Sequence, residues 1–436
     1  MLALWSNSAM PAPTADALID PQLDASFKGY PPDAPPLRRS QIAARGWNVL
    51  AGDLPLPLAV IRREPLAHNL GWMQRHVAAA GIALAPHGKT TLSPQLFAAQ
   101  VEAGAWGITF ANVHQLALGV AGGVRRALIA NQVIQAGDLH QLAALRAQHP
   151  GLRAPFFIDS AAQLALIEAQ ALPAPLEVLL ELGLPGGRTG CRGHEQALAL
   201  ARAVHASPAL QLAGISTYEG LWGSGDDAAD RALAEGLMQR VHALALACEH
   251  EALFDTDEVI VSAGGSALFD RVSQALRPPL RKPVLGLLRS GCYVTHDDGH
   301  YRRMVHVANR RLGCADADGL RAALQVWTLV QSCPEPGLAI LNAGKRDLSF
   351  DMGLPVPVMF CPQGERTARA VPAGWQISAL NDQHAYLRLG DDASALQVGD
   401  RVALGISHPC TTFDKWRWMP VVDEALRVVD AITTLF

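Results

Sequence analysis

"IALAPHGKTTLSP", residues 82–94, runs from an apolar stretch through a polar loop to a proline that opens a helix. The loop holds a lysine, Lys89, among His87, Gly88, Thr90 and Thr91. Lysine is rarely buried without a partner. One reading is that Lys89 emerges at a loop and is solvated. The other is that it is a desolvated amine of lowered pKa, used as a nucleophile or Schiff-base former. The local pattern, strand then loop then helix, is the unit from which the rest of the chain is read.

That unit recurs. Apolar runs at 82–86, 107–110, 126–130, 155–158, 177–182, 212–216, 258–262 and 284–288 alternate with amphipathic stretches such as 64–80, 93–104, 112–121, 160–170, 192–206, 226–250 and 266–276. Strands that are apolar at every position are buried on both faces, as parallel strands are. Eight such units point to a (β/α)8 TIM-type barrel over 53–305, with a doubly wound open sheet as the other arrangement consistent with the pattern. After about residue 305 the helical period fades. "ALQVWTLVQS", "GLAILNAG", "HAYLRLG" and "DRVALGIS" read as short strands between turns, giving a mostly β domain over 306–436. Its last stretch, "VVDEALRVVDAITTLF", is expected to close on a short helix. The proline-rich residues 1–52 read as an extension packed on the β domain.

Composition narrows the function. Half of the 436 residues are hydrophobic and 17% are charged, enough apolar content for a large core. A net charge of −4 gives no reason to expect nucleic acid or an anionic membrane as partner. No apolar run is long enough to span a bilayer. "MLALWSNSAMPAP" lacks the basic region and sustained apolar core of a signal peptide. Seven cysteines without a CxxC pair argue against a disulfide framework and for a cytoplasmic protein. Cys191, Cys248, Cys292, Cys314, Cys333 and Cys361 are read as space-filling, and Cys410 as the exception.

In a barrel, functional groups gather at the C-terminal ends of the strands. Lys89 lies there, as do Arg188 in "GLPGGRTGCRG" (183–193), Tyr218 in "STYEGLWGSG" (216–225), and "SAGGSALFD" (262–270). Gly264, Gly265 and Ser266 precede an expected helix, and backbone N–H groups at such a point suit a phosphate. An ordinary tight turn is the other reading. A lysine after strand one and a phosphate cradle after strand seven together suggest pyridoxal phosphate. Late in the chain, "ISHPCTTFDKW" (406–416) holds His408 and Cys410 at i and i+2, on one side if the segment is an extended strand. Imidazole and thiolate suit zinc with a position left open for substrate, against a chance pairing at a strand end. "THDDGHY" (295–301) is read as a polar junction between the domains.

As an ordered set, "PHGKT", "GGRTG", "TYEG", "SAGGS", "LRSGCYV" (287–294) and the late "HPC" resemble the D-serine dehydratase and D-threonine aldolase family, fold-type III pyridoxal phosphate enzymes with an alanine-racemase-like barrel and a β domain. The resemblance runs from about residue 55 to the C-terminus. It implies Lys89 as the lysine carrying the cofactor and Arg188 or Tyr218 near the pyridine nitrogen. It also implies Gly264, Gly265 and Ser266 at the phosphate, Tyr293 among the cofactor-binding residues, and a metal on His408 and Cys410. Zinc is the expected metal, with Mg2+ or Mn2+ as alternatives. A homodimer is implied, with a small D-amino acid as substrate.

Within that family the dehydratases resemble this chain in carrying His-x-Cys, where the aldolases carry His-x-Asp. The resulting expectation is β-elimination from a D-β-hydroxy amino acid of the D-serine or D-threonine type, giving a 2-keto acid and ammonia. Lys89 would remove the α-proton and the metal would stabilise the departing hydroxide. The rivals are retro-aldol cleavage to glycine and an aldehyde and, in another class, a pyridoxal phosphate carrier without turnover. Those carriers consist of the barrel alone, so the β domain argues against the last.

Overall fold

The computed structural model describes residues 14–220, 223–224, 226–390 and 396–436. The first thirteen residues of the N-terminal extension, and Leu221, Trp222 and Gly225 of the loop after the sixth barrel strand, lie outside the described residues.

Each of the eight apolar runs is a strand, and the eight form one parallel sheet. They are Ala83–Leu84, Ile108–Phe110, Ala127–Gln132, Phe156–Ile158, Leu176–Leu182, Leu210–Thr217, Val259–Ala263 and Val284–Leu288. Neighbours along the chain are neighbours in the sheet, and the eighth strand pairs with the first. A parallel bridge between His87 and Thr109 joins the first strand's extension to the second, so the sheet closes into a barrel. The Thr109 amide donates to Pro86 O at 2.8 Å across that seam.

The alternation of side chains explains why these runs read as apolar throughout. Leu128, Phe157, Leu179, Ala213, Ile260 and Leu287 point inward and form a small core inside the barrel. Their neighbours Ile129, Phe156, Val178, Leu180, Val259 and Val261 point outward into the layer of helices. Both faces are therefore dry, as parallel sheets require.

The C-terminal region is an antiparallel sheet built on the long strand Leu324–Glu335, which pairs with Leu338–Leu341 on one side and Arg401–Gly405 on the other. Leu58–Arg62 belongs to this second sheet, not to the barrel. It pairs antiparallel with the long strand, Ile61 opposite Leu324 and Leu58 opposite Trp327. The chain thus enters the β domain before it builds the barrel, and the sequence boundary at 53 falls ahead of a strand of the other sheet. At the other boundary, helix His300–Leu312 straddles residue 305.

The expected closing helix is absent. Trp418–Val422 and Val428–Thr433 form an antiparallel hairpin instead. The β-branched Val421, Val422, Val428, Val429, Ile432 and Thr433 favour strands. Leu426, with φ +59°, makes the turn between them.

The described part of the N-terminal extension packs on this domain. The Tyr30 ring lies 5.5 Å from that of Trp418, Lys28 sits 3.6 Å from the centre of the Trp416 ring, and Arg39 pairs with Asp430 at 2.7 Å. Among the described residues no helix is long and apolar enough to cross a membrane, and all seven cysteines are free.

Candidate active site and metal centre

The loops at the C-terminal end of the barrel enclose a cavity of about 270 Å³. Its walls come from barrel and β domain together: Lys89, Arg188, Tyr218, Gly265 and Ser266 from one, His408 and Cys410 from the other.

Lys89 reaches it from a short 3-10 turn, Gly88–Thr90. The turn is packed from behind. A Cβ on Gly88 would lie 2.7 Å from Ile108 and 2.9 Å from Phe97, so only glycine fits there. Ser93 then caps helix Pro94–Glu102 by accepting from the Leu96 amide, with Pro94 at its first position. Lys89 is left exposed to the cavity, and its amine has no hydrogen bond or ion pair among the described residues. Of the two readings of this lysine, the exposed one matches its position. The lysine is neither buried nor held by a partner, and stands in the open mouth of a polar cleft.

Around it the charges are fixed. Arg289, one residue past the eighth strand, is 2% exposed and donates to Ser216 Oγ at 2.6 Å, Ser262 Oγ at 3.0 Å and Thr217 O at 2.6 Å. Arg188 is exposed, with its guanidinium 5.1 Å from the centre of the Tyr218 ring. His87 also lines the cavity. Burial, with the charges of Lys89, Arg289 and Arg188, holds its imidazole well below the ordinary histidine range.

The glycine cradle is an anion site, and the anion it holds is internal. Glu219, fully buried, accepts from Gly264 N at 3.0 Å and Gly265 N at 3.2 Å through its two oxygens. Burial pushes this carboxyl up, against the pull of those amides and of Arg289. The helix expected from 266 is a single short one, Phe269–Ser273, so Gly264 and Gly265 do not sit at a helix N-terminus. Ser266 faces the cavity, and its hydroxyl accepts from the Cys292 amide at 3.4 Å. Tyr293 does not reach the cavity wall. Its hydroxyl accepts from Gln100 at 3.2 Å inside the core. Tyr301, from the first turn of helix His300–Leu312, lines the cavity instead.

The expected metal donors converge, though not as a strand pair. His408 follows strand Arg401–Gly405, Pro409 has helical dihedrals, and Cys410 starts the helical turn Cys410–Phe413. Cys292, read from the sequence as a space-filler, completes the group. The ligand atoms of Cys292, His408 and Cys410 all lie within 4.8 Å of one another, and the two sulfurs are 3.8 Å apart. The hydrogen bond shared with Cys292, with His408 and Thr90 beside it, holds the Cys410 thiol well below its usual range despite burial. The same hydrogen bond, with burial, raises Cys292. Burial alone would lower His408, but Cys410 and Asp351 outweigh it and hold the imidazole up at about 9. Two sulfurs and an imidazole brought this close together are a donor set suited to a soft divalent cation.

The "THDDGHY" segment behaves as a junction. Asp297 accepts from the amides of Gly299, Tyr301 and Arg302 and so caps helix His300–Leu312, while Asp298 N donates to Ile406 O of the β domain. It borders a larger cleft of about 1070 Å³ that also involves Arg62, Arg302 and Arg321. Neither Lys89 nor the three metal donors line that cleft, so the smaller cavity is the one equipped for chemistry.

Comparison with known proteins agrees with this geometry. Residues 61–302 match the "Alanine racemase, N-terminal domain" family and residues 323–422 the "Putative serine dehydratase domain" family. The chain is 27% identical over 375 residues to a D-threonine aldolase of Arthrobacter sp, covering 85% of this chain and 89% of that one. It is 26% identical over 381 residues to the D-threo-3-hydroxyaspartate dehydratase of a Delftia species, covering 82% and 92%. The solved D-threonine aldolase of Filomicrobium marinum shares the fold, with a TM-score of 0.74 at 24% identity over 89% of this chain and 97% of that one. A cysteine-to-alanine variant of the dehydratase, described in a metal-free form, has a TM-score of 0.70 at 25% identity over 89% and 99%. An alanine-racemase-like barrel joined to an antiparallel domain is the architecture of fold-type III pyridoxal phosphate enzymes. The chain belongs to the D-serine dehydratase and D-threonine aldolase family, whose members are lyases of D-amino acids.

The residues present fit that cofactor. Lys89 offers a partnerless amine. His87 Nδ1, at the cavity wall, is buried with no hydrogen-bond partner among the described residues. Gly265, Ser266 and Gly291, from the loops after strands seven and eight, line the wall where barrels commonly hold phosphate.

Proposed function

We propose that this chain is a pyridoxal phosphate- and metal-dependent dehydratase of D-β-hydroxy amino acids, releasing a 2-keto acid and ammonia. The observation that carries the reading is that partnerless Lys89 and the donors His408 and Cys410 line one cavity. Lys89 would hold the cofactor, with Arg188 and Tyr218 beside its ring and Gly265 and Ser266 beside its phosphate. Lys89, once free of the cofactor, would be the amine placed to take the substrate's α-proton. Bound cofactor supplies an electron sink for the Cα charge, and bound metal supplies a Lewis acid for the departing hydroxide. The Cα–H and Cβ–O bonds break as a carbon–carbon double bond forms. Water then hydrolyses the freed enamine to the 2-keto acid and ammonia. Arg289, locked to Ser216 and Ser262, keeps a fixed positive charge at the floor of the cavity.

A second reading is favoured by the aldolases among the relatives. The same lysine and metal donors would serve retro-aldol cleavage, in which the β-hydroxyl loses its proton and the Cα–Cβ bond breaks. Cysteine at 410, rather than a carboxylate, supports the dehydratase. A homodimer belongs to this proposal as well.

The direct test of metal dependence is dialysis of the cofactor-loaded protein against a chelator. Release of 2-keto acid from D-serine or D-threonine should stop, the visible cofactor band should persist, and zinc should restore turnover. Full activity after complete metal removal would refute the proposal.

A further inference from the structure

We propose that Cys292 is a third protein ligand of the metal. The centre is then one imidazole and two thiolates, with its remaining position open to the cavity. This deepens the metal-dependent reading above and rests on it.

The spacing carries the argument. Cys292 Sγ and Cys410 Sγ are 3.8 Å apart. Two thiolates bound to one tetrahedral zinc at about 2.3 Å stand about 3.8 Å from each other. The sulfurs of a disulfide are only about 2.05 Å apart. The pair is therefore spaced as two ligands of one ion.

The third donor is oriented for the same task. One ring nitrogen of His408, Nδ1, is engaged by Asp351 at 2.7 Å, which leaves Nε2 for a metal. A carboxylate behind a histidine is the usual support of a metal-bound imidazole. Thr90 Oγ1, 3.4 Å from Cys410 Sγ, supports the second sulfur.

Ligand chemistry then decides the ion. Two thiolates and a neutral imidazole balance a divalent charge without a carboxylate. They favour zinc and disfavour Mg2+ and Mn2+, which prefer oxygen. Three protein ligands with one open site is a catalytic arrangement, where four would be structural. All three line the same cavity as Lys89, so the open position can take the substrate's hydroxyl oxygen. Cys292 stands on the turn Cys292–Val294 after the eighth barrel strand, and Cys410 stands in the C-terminal domain. The ion would therefore also clip the two domains together at the site.

X-ray absorption at the zinc edge of the wild-type holoprotein should count two sulfur scatterers at about 2.3 Å. A single sulfur would overturn the proposal. In the cobalt-substituted protein, Cys292→Ser should remove roughly half of the thiolate-to-metal charge-transfer intensity. Competition with a chromophoric chelator should show zinc bound at least about 100-fold more weakly in that variant, beyond the range of an outer-shell partner. Unchanged intensity and affinity would overturn the assignment. So would a Cys292–Cys410 disulfide in the zinc-loaded protein. Cys410→Ser and His408→Ala separate the two levels of the account. If the wild type holds no divalent metal, the metal-dependent reading itself fails. If Cys410→Ser releases zinc and Cys292→Ser does not, only the third ligand fails.

Discussion

His408 and Asp351 form a pair in which the imidazole Nδ1 lies 2.7 Å from one carboxylate oxygen, while Thr411 donates its hydroxyl to the other oxygen at 2.7 Å. The carboxylate fixes which nitrogen of His408 is left for a metal. Asp351→Ala should therefore weaken metal binding by about 10- to 100-fold with the ligands themselves intact. Asp351→Asn, which keeps an accepting oxygen, should lose less. Metal titration of the two variants checks this, and wild-type affinity in Asp351→Ala would contradict it.

Lys89 should carry the cofactor covalently. The protein loaded with pyridoxal phosphate should show a visible band that borohydride removes, and peptide mapping should place the reduced adduct on Lys89. Lys89→Ala should lose the covalent link and, with its base gone, all measurable elimination. A reducible adduct that survives in Lys89→Ala would assign the role to another amine.

Glu219 and the glycine pair form one unit, and its disruption should be felt in the fold and in cofactor retention together. Glu219→Gln keeps one acceptor and turns an amide N–H₂ toward the second glycine N–H. One buried donor left unpaired costs about 1–3 kcal/mol. Urea unfolding should register that loss, and cofactor dissociation should speed up because Gly265 and Ser266 line the cavity. Gly265→Val should act more locally. Its Cβ would stand 2.7 Å from the Tyr218 ring, so it should weaken cofactor binding more than stability. If Gly265→Val retained cofactor normally, that segment would not hold the phosphate.

His87 gives a pH dependence of known sign. Burial and the nearby Lys89, Arg289 and Arg188 hold its folded-state pKa well below that of the unfolded chain. The neutral ring is therefore favoured by folding. Its contribution is fully present above the unfolded value of about 6.5 and is lost as pH falls through it toward the folded value. Cofactor-free wild type should thus lose more stability than His87→Asn between about pH 7 and about pH 5. Parallel stability curves for the two proteins would contradict this.

The barrel was legible in the sequence because its strands are buried on both faces. Leu179 faces inward and Leu180 outward, yet each position is apolar and the run stands out. The same property hid Leu58–Arg62. It is equally apolar, and only its pairing with the distant Leu324–Glu335 assigns it to the other sheet. Local patterns also failed at the closing hairpin, where apolar residues at helix-like spacing lie on either side of a turn at Leu426. Lys89, His408 and Cys410, singled out by motif and position, do line one cavity. Cys292 was not singled out, because its partner is 118 residues away and no spacing rule links them. Arg289 carried a usable signal, a cation directly after a barrel strand, the same feature that singled out Lys89. Tyr293 and Tyr301 show the limit of such reasoning. Both follow the eighth strand, and only the fold sends one to Gln100 and the other to the cavity.

The central claim is elimination rather than carbon–carbon cleavage, and the product balance tests it most directly. The zinc- and cofactor-loaded protein would be incubated with D-serine, D-threonine and D-3-hydroxyaspartate, and 2-keto acid, ammonia, glycine and aldehyde would be quantified together. The account predicts 2-keto acid and ammonia in equal amounts, with neither glycine nor aldehyde, and no products after chelation. Glycine and aldehyde in equal amounts would contradict it and establish the aldolase reading in its place.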